Sequence, residues 1–491
     1  MRRVSRRSFL VSAGSLAAGW ALADRGRLAD LAFTASPGPP GAAAALAALG
    51  RSALRYPDSV PFPNLPPGTD TLPEIEHIVV LMLENHSFDN LFGLLGRGDG
   101  FKTSSRRVTS WNPSGVTATN PNSSGGVQHA FHMPTTCQLP ASPSQEWTAS
   151  HLQYDNGTCR GFVVSPSGPV AMGYWSGSDL PFLYGLARAF PIADRWFCSV
   201  LGQTDPNRRF LIAATSSGMT NDIAVPGPGT SPSTVEQDAL LATPANGTIF
   251  DRLSAHGVSW VDYTASYPTG TTSELYPVDD AVLTQTAYKP FDSFYADCAA
   301  GSLPAFSLLD PDYSTQSQEN PQNLVVGEDL LRKVVLAVGG SPAWTKTMLV
   351  VVYDEHGGYY DHVPPPVALA PDGIPPVVPP GASTYDGFSR YGFRVPAVVV
   401  SPYAVRAGLT HVLHDHTSVL AMVERKWNLP AMTFRDANAN DLTDFLDMAA
   451  LRTGTPTFPQ LPALPPSGLS GATLACSTTG PGTIPPPGSS T

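Results

Sequence analysis

The sequence predicts an α/β fold built on a mostly parallel sheet, with long loops inserted between its elements. Two apolar, β-branched runs carry that reading, residues 78–83 (Ile-Val-Val-Leu-Met-Leu) and 348–353 (Met-Leu-Val-Val-Val-Tyr). Each is the length of a strand and uninterrupted, which suits a strand buried on both faces. The third observation is alternation: residues 249–256 read as a helix that passes through Gly257 into a strand at 258–263, as in a βα unit. Fifty prolines and 44 glycines in 491 residues place much of the remaining chain in loops.

Taken in order, the chain opens with Arg2, Arg3, Arg6 and Arg7 ahead of Ser8, Phe9, Leu10 and a mildly apolar run to Ala23. This fits a twin-arginine export signal at 1–23, with Ala21 to Ala23 as the small-residue cleavage site. The run is shorter than the roughly 20 residues a membrane span needs. Residues 24–72 are rich in Ala, Pro and Gly and read as a linker with one short helix at 41–50. The catalytic domain is expected at 73–451. After the strand at 78–83, residues 102–145 and 220–245 read as loop insertions. Helices are expected at 179–190, 327–338 and 419–427, and further strands at 192–200, 305–309 and 394–401. Beyond 452 the Pro, Gly and Ser content rises again, and that tail is expected to be extended or disordered.

Composition removes several classes. Lys plus Arg number 29 against 40 Asp plus Glu, a net charge of −11, so the basic footprint of a nucleic-acid-binding protein is absent. Five cysteines form no CxxC pair, which argues against a structural zinc site. For an exported chain, Cys137 with Cys159 is the disulfide to test first.

The chemistry gathers where the two central strands end. Asp354, Glu355 and His356 follow one of them; Glu84, Asn85, His86, Ser87, Phe88 and Asp89 follow the other. Acid and amide oxygens delivered beyond the carboxyl ends of two parallel strands are the minimal construction for an oxygen-rich divalent metal site. An isolated Asp-Glu pair after a strand is usually a loop start or helix cap; two such pairs in one chain favour a metal or phosphate site. Asp361 and His362 add a second acid and imidazole. Thr204, between Gly202 and the start of a helix, is placed either as an activated nucleophile or as a helix cap. Arg208 or Arg209 can supply the fork that phosphate oxygens prefer.

With these residues assembled, the chain resembles the bacterial phosphoesterase family that contains exported phospholipases C and acid phosphatases, allied to the alkaline phosphatase superfamily. The resemblance covers most of 74–447. Its most specific stretch is Tyr353 to Pro366, which reads Tyr-Asp-Glu-His-Gly-Gly-Tyr-Tyr-Asp-His-Val-Pro-Pro-Pro. It implies a three-layer α/β/α, alkaline-phosphatase-like core and a divalent metal held by Glu84, Asn85, Asp354 and Glu355. It also implies a nucleophilic hydroxyl at Thr204 and a phosphoryl contact at His151, with Asn207, Arg208 and Asn320 at the substrate phosphate. Many relatives carry His-Pro where this chain has Asn320-Pro321. Asn320 can hydrogen-bond but cannot donate a proton as an imidazolium does, so either another histidine, such as His356 or His362, serves the leaving group or the enzyme prefers easy leaving groups.

The expected function is an exported metal-dependent phospholipase C, with diacylglycerol and a phosphorylated head group as products. Its expected partners are a phospholipid or small phosphate ester, the twin-arginine machinery and, transiently, the membrane surface. Phe101, Trp147, Trp175 and Phe182 are the candidates for an apolar rim around the acyl chains. The alternatives are an acid phosphatase acting on monoesters, and an exported protein that binds phosphate or carbohydrate without turnover.

Overall fold

Eight strands form the central sheet of the computed structural model, which describes residues 38–137, 143–223, 242–270, 275–276, 287–320, 322–378 and 380–469. The export signal expected at 1–23 lies outside them. The strands are β1 (His77–Leu83), β2 (Ile192–Ala193), β3 (Trp260–Thr264), β4 (Tyr288–Pro290), β5 (Phe306–Asp310), β6 (Thr347–Tyr353), β7 (Ala397–Val400) and β8 (Leu409–Thr410). Their spatial order is β8-β2-β7-β6-β1-β5-β3-β4. From β6 through β4 every pairing is parallel, whereas β7 runs antiparallel to both β6 and β2. The expected mostly parallel sheet is therefore present, and the strand expected at 192–200 shortens to two residues.

Strands β1 and β6 are buried along almost their whole length. That accounts for their unbroken apolar runs, since neither face meets water. Two groups of helices supply the cover. Helices α4 (Pro181–Ala189) and α7 (Leu324–Gly340) pack together with the helix Ser293–Ala300, and α5 (Thr204–Ala213), α6 (Ile249–Ala255) and α8 (Thr417–Trp427) form the second group. The expected α/β/α layering follows. Among the described residues no helix is long and apolar enough to cross a membrane.

The described parts of two segments that composition marked as linker (24–72) and tail (452–491) pack against the domain; residues 24–37 lie outside the described residues. Helix α1 (Ala42–Ala48) contributes Ala45 and Leu46, with Leu49 after it, to an apolar cluster with Phe197, Leu369, Tyr391 and Leu413. The extended chain that follows has its backbone groups satisfied by side chains. Asn428 Oδ1 accepts from Phe62 N at 2.9 Å, and its Nδ2 donates to the carbonyls of Phe62, Leu65 and Pro66. At the other end Phe458 is buried against Phe190, ring centroids 4.6 Å apart, and its carbonyl accepts from Trp344 Nε1 at 3.0 Å. The part of the tail beyond 469 is outside the described residues. Cys137 is disulfide-bonded, but not to Cys159, which is a free buried thiol, so the first-choice pairing is not formed.

The segment after β6 turns back beneath helix α2 (Phe88–Phe92). There Arg394, fully buried, makes a bidentate pair with Asp361 (Nε to Oδ1 2.9 Å, Nη2 to Oδ2 3.2 Å) and reaches Asp89 Oδ1 at 3.2 Å. His362 Nδ1 donates to Asp89 Oδ2 at 2.6 Å. Burial works against its charge, but Asp89 and Asp361 outweigh that and raise the imidazole from 6.5 to about 9.

Two outcomes follow from this packing. Phe458→Ala is expected to cost about 3–5 kcal/mol, read as a lower urea midpoint, because an aromatic ring is removed from a closed site. A raised imidazole stabilises the fold below its unfolded value and loses that contribution as pH climbs through the folded one. Wild-type protein is therefore expected to lose stability between pH 6.5 and about 9, and His362→Gln to flatten that decline in pH-resolved urea melts.

Candidate active site

The pairing of β1 with β6 runs His77 to Thr347 through Leu83 to Tyr353 in strict register. Glu84 and Asp354 are thus the next residues on adjacent parallel strands, and Asp354 N donates to Leu83 O at 3.0 Å. The loops beyond them interlock. Gly357 lies at φ 64°, and a Cβ there would meet Asn85 O at 1.9 Å, so only glycine lets the two backbones approach. Asn85 itself is left-handed, at φ 90°.

Thr204 is the first residue of α5. Its Oγ1 donates to Asn85 Oδ1 at 3.2 Å and lies close enough to the Asp354 carboxyl to favour its ionised form. One helical turn on, Arg208 directs Nη2 to Glu84 Oε1 at 3.3 Å and to Asp354 Oδ2 at 3.5 Å. The hydroxyl, the guanidinium and the two strand-end carboxylates therefore converge, as expected from the sequence.

Glu355 completes the acidic lining. Its Oε2 accepts from Gly357 N at 2.7 Å, while Oε1 is buried without a partner among the described residues, as is Asp354 Oδ2 by hydrogen-bond geometry. Burial pushes the carboxyls of Glu84, Asp354 and Glu355 upward, and their mutual repulsion adds to it. Arg208 opposes the shift at Glu84 and Asp354. Glu319 is raised by burial as well and acts electrostatically on all three. Buried carboxylates of one sign with unpaired oxygens are costly unless a cation compensates them. The donor set is three carboxylates and the Asn85 amide oxygen, all hard oxygen ligands suited to a divalent ion.

Other residues singled out in the sequence lie elsewhere. Asn207 is fully buried, and its amide spends itself on the backbone of Val200, Gly202 and Gln203. It pins the loop ahead of Thr204 and has no capacity left for a phosphate. His356 is walled in by Phe162 and Phe393, hydrogen-bonds Gln153 Oε1 at 2.6 Å and stands 3.1 Å from Glu355 Oε2. Burial lowers its pKa to about 3, so it is a neutral ring whose one proton, on Nε2, goes to Gln153, while Nδ1 has no hydrogen-bond partner among the described residues. His362 belongs to the Asp89 and Arg394 network and also contacts Asp99 at 3.2 Å. Neither imidazole is presented to a leaving group.

His151, on α3 (Trp147–Tyr154), donates from Nδ1 to Trp147 O at 2.7 Å and stacks on Tyr385 at 4.0 Å. It lines a cavity of about 480 Å³ with Tyr154, Asp155, Asp386 and Arg390. Asn320 Nδ2 donates to the Tyr359 hydroxyl at 2.9 Å, and its Oδ1 is buried without a partner among the described residues. Trp147, Trp175 and Phe182 are buried core residues and Phe101 packs on Tyr174 and Tyr360, so these four do not form an acyl-chain rim.

Three residues near the acids escaped sequence reasoning. Ser317 Oγ donates to Glu84 Oε2 at 2.7 Å, Glu319 joins the acidic group, and the Tyr313 hydroxyl accepts from Arg208 Nη1 at 2.6 Å. All sit in the loop after β5. Glu319 immediately precedes Asn320, and that adjacency was the one available signal.

One further group of acids and imidazole, Asp89, Asp361 and His362, has ligand atoms within 4.8 Å of one another. The Arg394 guanidinium already occupies it and neutralises it.

A family model for the Phosphoesterase family matches residues 75–430. Phospholipase C A of Mycobacterium tuberculosis is 32% identical over 444 residues, covering 80% of this chain and 82% of that protein. Non-specific phospholipase C3 of Arabidopsis thaliana is 29% identical over 440 residues, covering 80% and 78%. Among solved structures, a protein in the alkaline phosphatase superfamily from Vibrio parahaemolyticus aligns over 68% of this chain and 74% of its own, at 13% identity and a TM-score of 0.32. With the matched span running from just before β1 to just past α8, and so enclosing every residue of the acidic site, the chain belongs to the Phosphoesterase family and is a phosphoric ester hydrolase.

Proposed function

We propose that the chain is an exported, divalent-metal-dependent phospholipase C that cleaves phospholipids such as phosphatidylcholine through a Thr204 nucleophile. The observation that carries this reading is the Thr204 hydroxyl held against Asn85 and Asp354, one helical turn from an arginine, within a buried group of undercompensated carboxylates. The phospholipase names of the two curated relatives support the substrate class, and the Arg6-Arg7 signature supports export.

Glu84, Asn85, Asp354 and Glu355 would hold the cation. When bound, it would supply Lewis acidity toward the hydroxyl and the phosphoryl oxygens. Thr204 Oγ attacks phosphorus in line; the Oγ–P bond forms, the ester P–O bond to the glyceride breaks, and diacylglycerol leaves with a proton. Water then cleaves the phosphothreonine and releases the phosphorylated head group. Arg208 donates to the phosphoryl oxygens in both steps. Asn320, the neighbour of Glu319 in sequence, would meet the phosphate as a neutral group. It binds without delivering a proton, which favours good leaving groups.

Thr204→Val is expected to lower turnover by on the order of 10³-fold or more while fold and bound metal stay intact; normal turnover in that variant would remove the nucleophile assignment. Asp354→Asn is expected to lose metal, measured by elemental analysis of protein purified without added metal, together with activity. A substrate panel tests the class. Faster hydrolysis of a choline phosphodiester than of a simple monoester is expected, and the reverse order would make the enzyme a phosphomonoesterase of the same family.

A further inference from the structure

Strands β6, β1 and β5 are neighbours, and each delivers a polar side chain at its carboxyl end. Asp354 follows β6, Glu84 follows β1, and Asp310 is the last residue of β5 with Tyr313 three positions on. Arg208 spans all three. Its Nη2 is shared between the first two carboxylates at 3.3 and 3.5 Å, while its Nη1 donates to the Tyr313 hydroxyl at 2.6 Å. The guanidinium carbon also lies 4.4 Å from the Tyr313 ring centroid. The Asp310 carboxylate lies close enough to act electrostatically on the Tyr313 phenol and accepts a bond from Thr264 Oγ1 at 3.3 Å. Arg208 Nε is buried and has no partner among the described residues.

We propose that Tyr313 is a positioning residue for the phosphoester hydrolysis, anchoring the Nη1 edge of Arg208 so that only Nη2 is given to the metal-binding carboxylates and Nε can serve a phosphoryl oxygen. Two buried carboxylates on one side attract the guanidinium strongly. Its Nη2 already lies between Glu84 and Asp354; left to them, Nη1 would follow and the whole guanidinium would compete with the divalent cation as an internal counter-ion. Tyr313 opposes this twice, through a hydroxyl that accepts from Nη1 beside the Asp310 carboxylate and through a ring face that takes the cation. Nε then remains the unpaired donor, and an unpaired buried donor gains most from an incoming anion. The inference rests on the proposed hydrolase reading and adds to it a residue that touches neither substrate nor metal.

The test uses the full chain with saturating divalent cation, a phosphate ester as substrate and inorganic phosphate as competitive inhibitor. Tyr313→Phe is expected to raise KM and the phosphate Ki together by about tenfold, the effect of losing a hydrogen bond to a charged group, with kcat changed far less. It is also expected to raise the metal concentration needed for half-maximal activity. Asp310→Asn, which leaves the phenol in place, is expected to shift Ki in the same direction by a smaller factor. A merely structural role would lower Tm and kcat and leave Ki alone, and that pattern, or an unchanged Ki in both variants, overturns the assignment. If wild-type protein neither hydrolyses phosphate esters nor binds phosphate, the hydrolase reading and this inference fall together; if it does both and the variants match it, only the role of Tyr313 falls.

Discussion

The in-register parallel pairing of β1 with β6 is the constraint on which the rest of the structure depends. It makes Glu84 and Asp354 adjacent by geometry, since each is the first residue beyond a pair of matched strand ends. Parallel strands bring all their carboxyl ends to one edge, so β5 adds Asp310 and the loop carrying Tyr313, Ser317 and Glu319 at the same place. A one-residue slip would move every side chain of β1 to the opposite face. Because both strands are packed on both faces, that slip would disturb two apolar layers at once. Packing energy thus fixes the register, and the register forces like charges together. The repulsion at the site is supported by the apolar core beneath it.

The legible part of this fold was whatever a buried, continuous strand writes into a sequence. The runs 78–83 and 348–353 could hardly be anything else, and the acids after them inherited their positions. Direction was not legible: residues 397–400 are as apolar as their neighbours, yet β7 runs antiparallel, because a run of valines carries no sense of polarity. Segments with little period of their own were misread. Residues 39–72 have linker composition, but Asn428 and Asn438 satisfy the backbone of that extended chain from more than 350 positions away.

The histidines show the opposite failure, in which adjacency in sequence suggested adjacency in chemistry. His356 directly follows the acids, yet its ring turns into a nest of Phe162, Phe393 and Gln153. His362 lies in the same motif and is bound to a separate charged network through Asp89. Within a turn, neighbouring residues point in different directions, and burial decides which of them reaches the site. The residues nearest the acids in space, Ser317, Glu319 and Tyr313, stand in an irregular loop whose sequence has no period to read.

Two buried acidic groups in one small region raise the question of which would take a divalent ion, and charge balance answers it. Around Asp89 and Asp361 the fold supplies Arg394, whose guanidinium bonds both acids, and His362, whose imidazole is held protonated well into the alkaline range. Two carboxylates there meet two cations, and an added divalent ion would have to displace either the fully buried Arg394 or the half-buried His362. Around Glu84, Asp354, Glu355 and Glu319 the one cation among the described residues is Arg208, and Tyr313 draws part of that guanidinium aside. The unpaired oxygens Asp354 Oδ2 and Glu355 Oε1 belong to this second group. Desolvation is tolerable in the first group because the protein neutralises it internally. In the second it becomes tolerable only with protons or with an external cation, and protons would withdraw the negative charge that orients Thr204 and Arg208. Grouping of acids alone would rank the two equally; the location of the arginines separates a structural ion-pair network from the site proposed to receive a metal.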